Sequence, residues 1–419
     1  MPILYRLGTA LYHTAIRLAG AVGNPKAKEW VQGRKNAAPL PDHLRPERRK
    51  AGEKLLWVHC ASLGEWEQGR PVVEALQAAN PGWKTVLTFY SPSGYQRCKN
   101  SEIVDFVTYL PPDSPRNADQ WQRELRPDLA VFVKYEFWYY HLEALFSYKV
   151  PTFLVAASFR ADQRFFSKSG DWWRGVLQLF TGIITQTESD ASLLMNRGGV
   201  PAEIVRVGGD PRMDRTLALA EAPFEDPLLA AFTAPAVTTI IAGSVWPDDL
   251  KALWLAWDKL PDTVRIILAP HELHKQELAQ TQVQWSAKRY TQSQAEELTD
   301  ARVLLLDTIG ILSRAYRYGE LAYVGGAFRT GLHNTLEPLA YGLPTVFGPK
   351  HQKFPEAAAA IAGGGAFSVT SGGELAVVLE ELLDEENRAR ASKAQRALAG
   401  ANAGAAARTA QLINNWDHD

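Results

Sequence analysis

Short apolar runs alternate with helix-length segments along most of this chain, and that alternation restricts its fold more than any other feature. Leu55 to His59, Thr85 to Phe89, Val104 to Tyr109, Leu129 to Val133, Thr152 to Ala156, Gly182 to Thr185 and Ile204 to Val207 form one series. Thr238 to Ala242, Arg265 to Ala269, Arg302 to Leu306, Leu321 to Val324, Thr345 to Phe347 and Ala366 to Val369 form a second. Such runs separated by helical segments mean βαβ units and a parallel sheet. Between the series, residues 216–237 hold Pro223, Pro227 and Pro235 among several alanines and read as a joint. At 419 residues the chain has length for two α/β domains. The expected architecture is two Rossmann-like doubly wound domains, residues 51–222 and 236–419, facing a central cleft that takes a ligand at the carboxyl ends of the strands.

The first 50 residues stand apart. Leu4, Leu7, Leu11, Ala15, Leu18 and Val22 recur at spacings of three and four, which gives one apolar face on a helix. Residues 1–54 contain eleven Lys and Arg against four Asp and Glu, so this end carries +7. An amphipathic helix followed by Lys26, Lys28, Arg34, Lys35, Arg45, Arg48, Arg49 and Lys50 suits an anionic membrane surface. The alternative is a helix packed on its own domain. No uncharged run approaches the roughly 20 residues of a spanning helix. No signal-peptide pattern precedes it. The whole chain has a formal net charge of −1, which argues against nucleic-acid binding by bulk electrostatics. Two cysteines, Cys60 and Cys98, make neither a disulfide framework nor a metal cluster and fit a reducing compartment.

Several strand ends carry residues able to do chemistry. Glu65 follows strand Leu55 to His59 within Ala61-Ser62-Leu63-Gly64-Glu65, where it is either a general base or a first-turn acid favourable to a helix dipole. Glu136, in Lys134-Tyr135-Glu136-Phe137-Trp138, is either a carboxylate set against a sugar by its aromatic neighbours or a helix-start acid backed by core rings. Arg212, on the turn Gly208-Gly209-Asp210-Pro211, presents a planar fork for phosphate or carboxylate, with a surface ion pair to Asp214 as the alternative. In the second series Gly243-Ser244, Pro270-His271-Glu272 and Asp307-Thr308-Ile309-Gly310-Ile311 follow strands. The stretch Gly325 to Pro349 reads as glycine turn, helix and strand, with Asn334 as N-cap and Glu337 in the capping position. A glycine-lined loop opening onto a helix start suits a phosphate. Asp248-Asp249, after Pro247, reads as a cap and not as a metal pair, and His271 with His274 lacks a third zinc ligand.

Taken as an ordered set, these segments resemble the lipid A 3-deoxy-D-manno-octulosonic acid (Kdo) transferases, from about Leu55 to near the chain end. Ala61-Ser62-Leu63-Gly64-Glu65 is similar to the family's A-S-V-G-E. Tyr135-Glu136-Phe137-Trp138 is similar to T-E-L-W, and Gly331-Leu332-His333-Asn334-Thr335-Leu336-Glu337-Pro338 to G-G-H-N-P-L-E-P. The resemblance implies a GT-B fold with an acceptor-binding first domain and a CMP-Kdo-binding second domain. It implies inverting transfer of Kdo to a lipid A precursor, with no active-site metal and no cofactor, at the cytoplasmic face of the inner membrane. By the same resemblance Glu65 is the proton acceptor and Glu136 lies near the developing charge, while Arg212 stands where the family usually has lysine. The donor would contact Pro270, His271, Ile309, Gly310, Ile311, Asn334, Thr335, Leu336 and Glu337. Two departures touch that set: the family's P-R-H-P is Pro270-His271-Glu272 here, with no arginine to meet the nucleotide phosphate, and D-T-M-G-E ends in Ile311. Another GT-B transferase with a UDP-sugar donor, or a silent nucleotide-sugar-binding protein at the membrane, remain the alternative readings.

Overall fold

A computed structural model describes residues 2–235, 238–329 and 331–416. The chain divides into two compact units, Met1–Arg212 with Gly404–Asp419, and Met213–Ala403. The break thus falls ahead of the proline-bearing stretch 216–237, and the chain end returns to the first unit. That return has a packing cause: the C-terminal helix Ala405–Asn414 buries Ala406, Ala410 and Ile413 in the same cluster as Val72, Val73 and Leu76.

The first unit is a seven-stranded parallel sheet. Its strands are β1 (Leu55–Cys60), β2 (Lys84–Phe89), β3 (Phe106–Tyr109), β4 (Leu129–Val133), β5 (Thr152–Ala157), β6 (Gly182–Thr185) and β7 (Val205–Val207), in the order β3-β2-β1-β4-β5-β6-β7. The second unit repeats the plan with β8 (Thr238–Val245), β9 (Val264–Pro270), β10 (Lys288–Arg289), β11 (Val303–Leu305), β12 (Leu321–Val324), β13 (Thr345–Phe347) and β14 (Ala366–Ser368), in the order β10-β11-β9-β8-β12-β13-β14. Strands β1, β4 and β5 are buried at every position because helices cover both faces of the sheet. Strand β10 carries no apolar run, only Lys288-Arg289, and so had no periodic signal to find. In each sheet the chain first winds outward on one side of its first strand and then returns to the other side. The order therefore reverses between β1 and β4, and between β8 and β12. These are the points where a doubly wound sheet opens a crevice at its carboxyl edge.

The N-terminal helix α1 (Pro2–Ala21) is followed by α2 (Pro25–Lys35), whose start is capped by Asn24 accepting from Ala27 N. Of the two readings of α1, packing on its own unit is observed, and the apolar stripe is left exposed. It packs on its own unit through Tyr5, Thr9, His13 and Ile16, a row at spacings of four, four and three, while the predicted stripe points away: Leu4 is 64 %, Leu11 70 % and Val22 86 % exposed. Tyr5 fastens the helix by donating to the buried carboxylate of Asp113 at 2.6 Å. No helix among the described residues is long and apolar enough to cross a membrane.

Candidate active site

At the reversal point of the first unit, β1 and β4 end side by side, and their following turns carry the two glutamates. Helix α3 (Leu63–Ala79) begins just after β1 with Ser62 as N-cap. Glu65 closes a capping box: its Oε2 accepts from Ser62 N at 3.0 Å and from the Ser62 hydroxyl. Glu65 is half-buried, so the cap fixes its position without removing it from solvent.

Glu136 is more deeply set, with 8 % of its surface exposed. Its Oε2 accepts from Trp138 Nε1 at 2.6 Å and lies 3.1 Å from Nε2 of His59, the residue before the last of β1. An ionised carboxylate only accepts, so His59 donates from Nε2. On the other side of the ring, Nδ1 lies 2.9 Å from Thr88 Oγ1 and 3.1 Å from Thr88 O. The imidazole is therefore held at both nitrogens and presents a fixed donor to Glu136. Trp138 is in turn stacked on Tyr90, ring centroids 4.5 Å apart. The helix that follows it (Tyr139–Ser147) has no cap from its own N-cap side chain. Asp113 supplies one, accepting from Tyr140 N and His141 N. Both carboxylates act on the same neighbour: burial first, then Glu65 and Glu136, push the Cys60 thiol well above its usual range.

Tyr90 also belongs to a cage from α2. The Arg34 guanidinium lies 3.8 Å from the Trp30 ring centroid and 4.9 Å from those of Tyr90 and Tyr109, and donates to the carbonyls of Leu110 and Tyr90. Burial brings its pKa down to about 10, so it stays charged at neutral pH. Arg34 thereby fastens the N-terminal helices to the ring that supports Trp138. The basic residues of the first 50 include at least one that is structural.

In the second unit, the turns after β8 and β12 meet at the other reversal point. Asp249, fully buried, accepts from Trp246 N at 2.9 Å, Gly326 N at 2.8 Å and the Tyr323 hydroxyl at 2.8 Å. It is the cap that its place after Pro247 suggests, and it also ties the two turns together. Burial raises its pKa, opposed by those three donors. Gly326 has φ +93, and a Cβ there would lie 2.4 Å from Gly331 O and 2.7 Å from the His333 ring. Only glycine lets that ring close over the turn.

His333 accepts at Nε2 from Trp246 Nε1, 2.7 Å away. The indole N–H only donates, so the neutral His333 ring carries its proton on Nδ1. His271, after β9, stacks on His333 at 4.2 Å and on Trp246 at 4.6 Å. The Arg329 guanidinium lies 4.6 Å from the Trp246 ring centroid. Asn334 Oδ1 accepts from Leu336 N and its Nδ2 donates to Glu337 Oε1. Glu337 has its pKa raised by burial, opposed by that bond to Asn334.

Of the residues expected at the donor site, His271 stacks on His333, and Asn334, the next residue in the chain, bonds to Glu337. The 309–311 loop leads into Leu312 and Tyr316, which pack against β8: a Cβ on Gly243 would be 2.1 Å from the Tyr316 hydroxyl and 3.2 Å from Leu312. Glu337 in turn raises the pKa of Tyr316, after burial. Leu336 is buried with Met213, Leu339 and Ala399, so its side chain serves the core. One expectation changes. The helix after Asn334 spans only Leu336–Ala340, with Thr335 as its formal N-cap, so it adds little macrodipole to a phosphate site. Arg212 is engaged by Asp210, to which its Nε donates at 2.9 Å. Sequence reading passed over His59, Trp246, Arg329 and His333. His59 lay inside an apolar run and read as strand; the others sat in turns whose pairings join positions 87 residues apart.

Known proteins resemble this chain in sequence and in fold. Residues 37–215 match the family model for 3-deoxy-D-manno-octulosonic-acid transferase (kdotransferase). The 3-deoxy-D-manno-octulosonic acid transferase of Aquifex aeolicus is 26 % identical over 353 residues, covering 82 % of this chain and 90 % of that protein. The Bordetella pertussis enzyme of the same name is 28 % identical over 381 residues, covering 86 % and 87 %. Among solved structures, a UDP-GlcNAc 2-epimerase from Neisseria meningitidis superposes with TM-score 0.61 at 15 % identity over 87 % of this chain and 99 % of that one. A glycosyltransferase from Rickettsia africae gives 0.58 at 10 % identity over 88 % and 98 %. These structural likenesses establish the fold, two doubly wound units of the GT-B type, while the sequence matches make this chain similar, over most of its length, to the 3-deoxy-D-manno-octulosonic acid transferases.

Proposed function

We propose that this protein transfers Kdo from CMP-Kdo to a lipid A precursor with inversion at the anomeric carbon. The observation that carries the reading is the pair Glu65 and Glu136 at the adjoining ends of β1 and β4, one half-exposed and one held by His59 and Trp138. An acceptor hydroxyl oxygen attacks the anomeric carbon as its bond to the CMP phosphate breaks, and the electron pair leaves with CMP. Glu65 takes the hydroxyl proton. One base facing away from the leaving group is sufficient for inversion. Glu136 is the better candidate for a fixed negative charge beside the oxocarbenium-like sugar, because its donors hold it in place without a reacting partner. The donor is read at the carboxyl edge of the second sheet, against His271, Asn334 and Glu337.

The exposed stripe of α1 and the +7 of residues 1–54 support attachment to an anionic inner-membrane surface, with no spanning helix required. The test is incubation with enzymatically regenerated CMP-Kdo and tetraacylated lipid A precursor, read by mass spectrometry, with UDP-sugars and a chelator as separate arms. The expected result is product heavier by whole Kdo units, one CMP released per unit, and no loss with chelator. Transfer from a UDP-sugar and none from CMP-Kdo would overturn the donor; turnover of neither would leave a binding protein.

A further inference from the structure

Four residues at the carboxyl edge of the second sheet form a platform built for an anion. Trp246 and His333 lie nearly coplanar, 13° apart, joined edge to edge by the indole N–H, and His271 stacks on both. Burial, with the neighbouring His271, lowers the pKa of His333, so that ring is neutral near pH 7 and supplies its Nδ1–H as a donor without a charge. Over the rings, a full positive charge comes from Arg329. Its guanidinium lies over Trp246, a contact that holds the plane of the fork while leaving its edge N–H groups for an acceptor.

The platform is fixed from beneath. The turn that bears Arg329 is closed by Arg329 N donating to Gly326 O and by the Lys350 ammonium donating to Arg329 O at 2.6 Å. Asp249 holds Gly326 N and Trp246 N on one carboxylate oxygen, so the cation and the ring beneath it share an anchor. Three other arginines of this unit are committed, Arg265 and Arg317 to backbone carbonyls and Arg302 to Asp262. Arg329 has an exposed side chain and no carboxylate partner among the described residues. A solvent-facing guanidinium, stacked on Trp246 and set on a buried scaffold at the sheet's reversal point, is placed for a ligand.

We propose that Arg329 is the residue that grips the phosphate of the sugar-nucleotide donor. It does from the β12 turn what the chain has no arginine to do after Pro270, where His271 stands. Trp246 orients the fork, and the Nδ1–H of His333 is a second, neutral donor to the same anionic group. This rests on the donor reading above, and its ligand class is a nucleoside monophosphate or its sugar ester.

Calorimetry on the full chain with CMP, UMP and cytidine separates the parts. Arg329→Ala should weaken CMP by roughly 10- to 100-fold, the loss expected for hydrogen bonds to a charged group. Arg329→Gln should lose nearly as much, Arg329→Lys less, and cytidine should bind all variants alike. Placing His271→Arg in the Arg329→Ala background should recover part of the CMP affinity, because the two positions flank one ring. Equal CMP affinity in wild type and Arg329→Ala overturns the proposal. Parallel loss of CMP and cytidine also overturns it, since that marks a structural role. If wild type binds UMP and not CMP, and Arg329→Ala weakens UMP, the cation assignment stands and the cytidine donor falls.

Discussion

Replacing Glu65 by glutamine separates the two tasks its carboxylate can perform. In the fold, Glu65 accepts from Ser62 N at 3.0 Å and from the Ser62 hydroxyl, and the capping-box position takes Gln as well as Glu. The amide oxygen keeps an acceptor for Ser62 N, so stability should change by no more than about 0.5 kcal/mol. As general base, Glu65 contributes on the order of 10²- to 10⁴-fold, equivalent to about 3–5 kcal/mol of transition-state stabilisation. Glu65→Gln should therefore unfold in urea as wild type does while turnover falls by two to four orders of magnitude. Ser62→Ala is the converse: it loses the cap at about 1 kcal/mol and leaves the base. Single-turnover transfer from CMP-Kdo, with CMP affinity measured in parallel, reads both. The acidic limb of the wild-type pH–rate profile should vanish from the residual activity of Glu65→Gln and persist in Glu136→Gln. A Glu65→Gln enzyme that keeps most of its turnover would refute the assignment and leave Glu65 a cap alone.

Glu136→Ala strands the buried donors His59 Nε2 and Trp138 Nε1 and should cost about 2–5 kcal/mol in urea unfolding, whereas Glu136→Gln keeps an acceptor and should cost about 1. An equal cost for both would show that the two donors do not depend on this side chain. Leu7→Glu with Leu11→Glu alters only exposed positions of α1, so the fold should hold while sedimentation with anionic vesicles drops; undiminished sedimentation would put the membrane contact elsewhere. Glu337 has a folded pKa raised by burial, so its protonated form favours the folded state: that contribution is full below the unfolded carboxylate value and is lost as pH rises through the folded one. The melting temperature of Glu337→Gln relative to wild type should accordingly climb as pH rises above the ordinary carboxylate value of about 4. A pH-independent difference would mean the carboxylate is not destabilised by its burial.

The sequence by itself determined the layered architecture. Continuous apolar runs between helical segments admit parallel strands covered on both faces, and the observed strands other than β10 end within three residues of those runs, from β1 at Leu55–Cys60 to β14 at Ala366–Ser368. It also placed Glu65 and Glu136 at strand ends and Asp249 as a cap, because strand ends and caps are set by neighbours in the chain. Tertiary structure alone decided what those groups touch. Strand order brings β1 beside β4 and so His59 against Glu136, 77 residues away; it brings β8 beside β12 and so Trp246 against His333. Periodicity showed that α1 has an apolar stripe, yet which side faces out was set by Tyr5 reaching Asp113 and His13 packing on Trp30. The return of Ala405–Asn414 to the first unit was equally invisible, since an alanine-rich helix packs wherever a surface admits close approach. Local propensity repeats every few residues and is written along the chain; a crevice is made of residues from different strands, and its chemistry exists only once the sheet has chosen their neighbours.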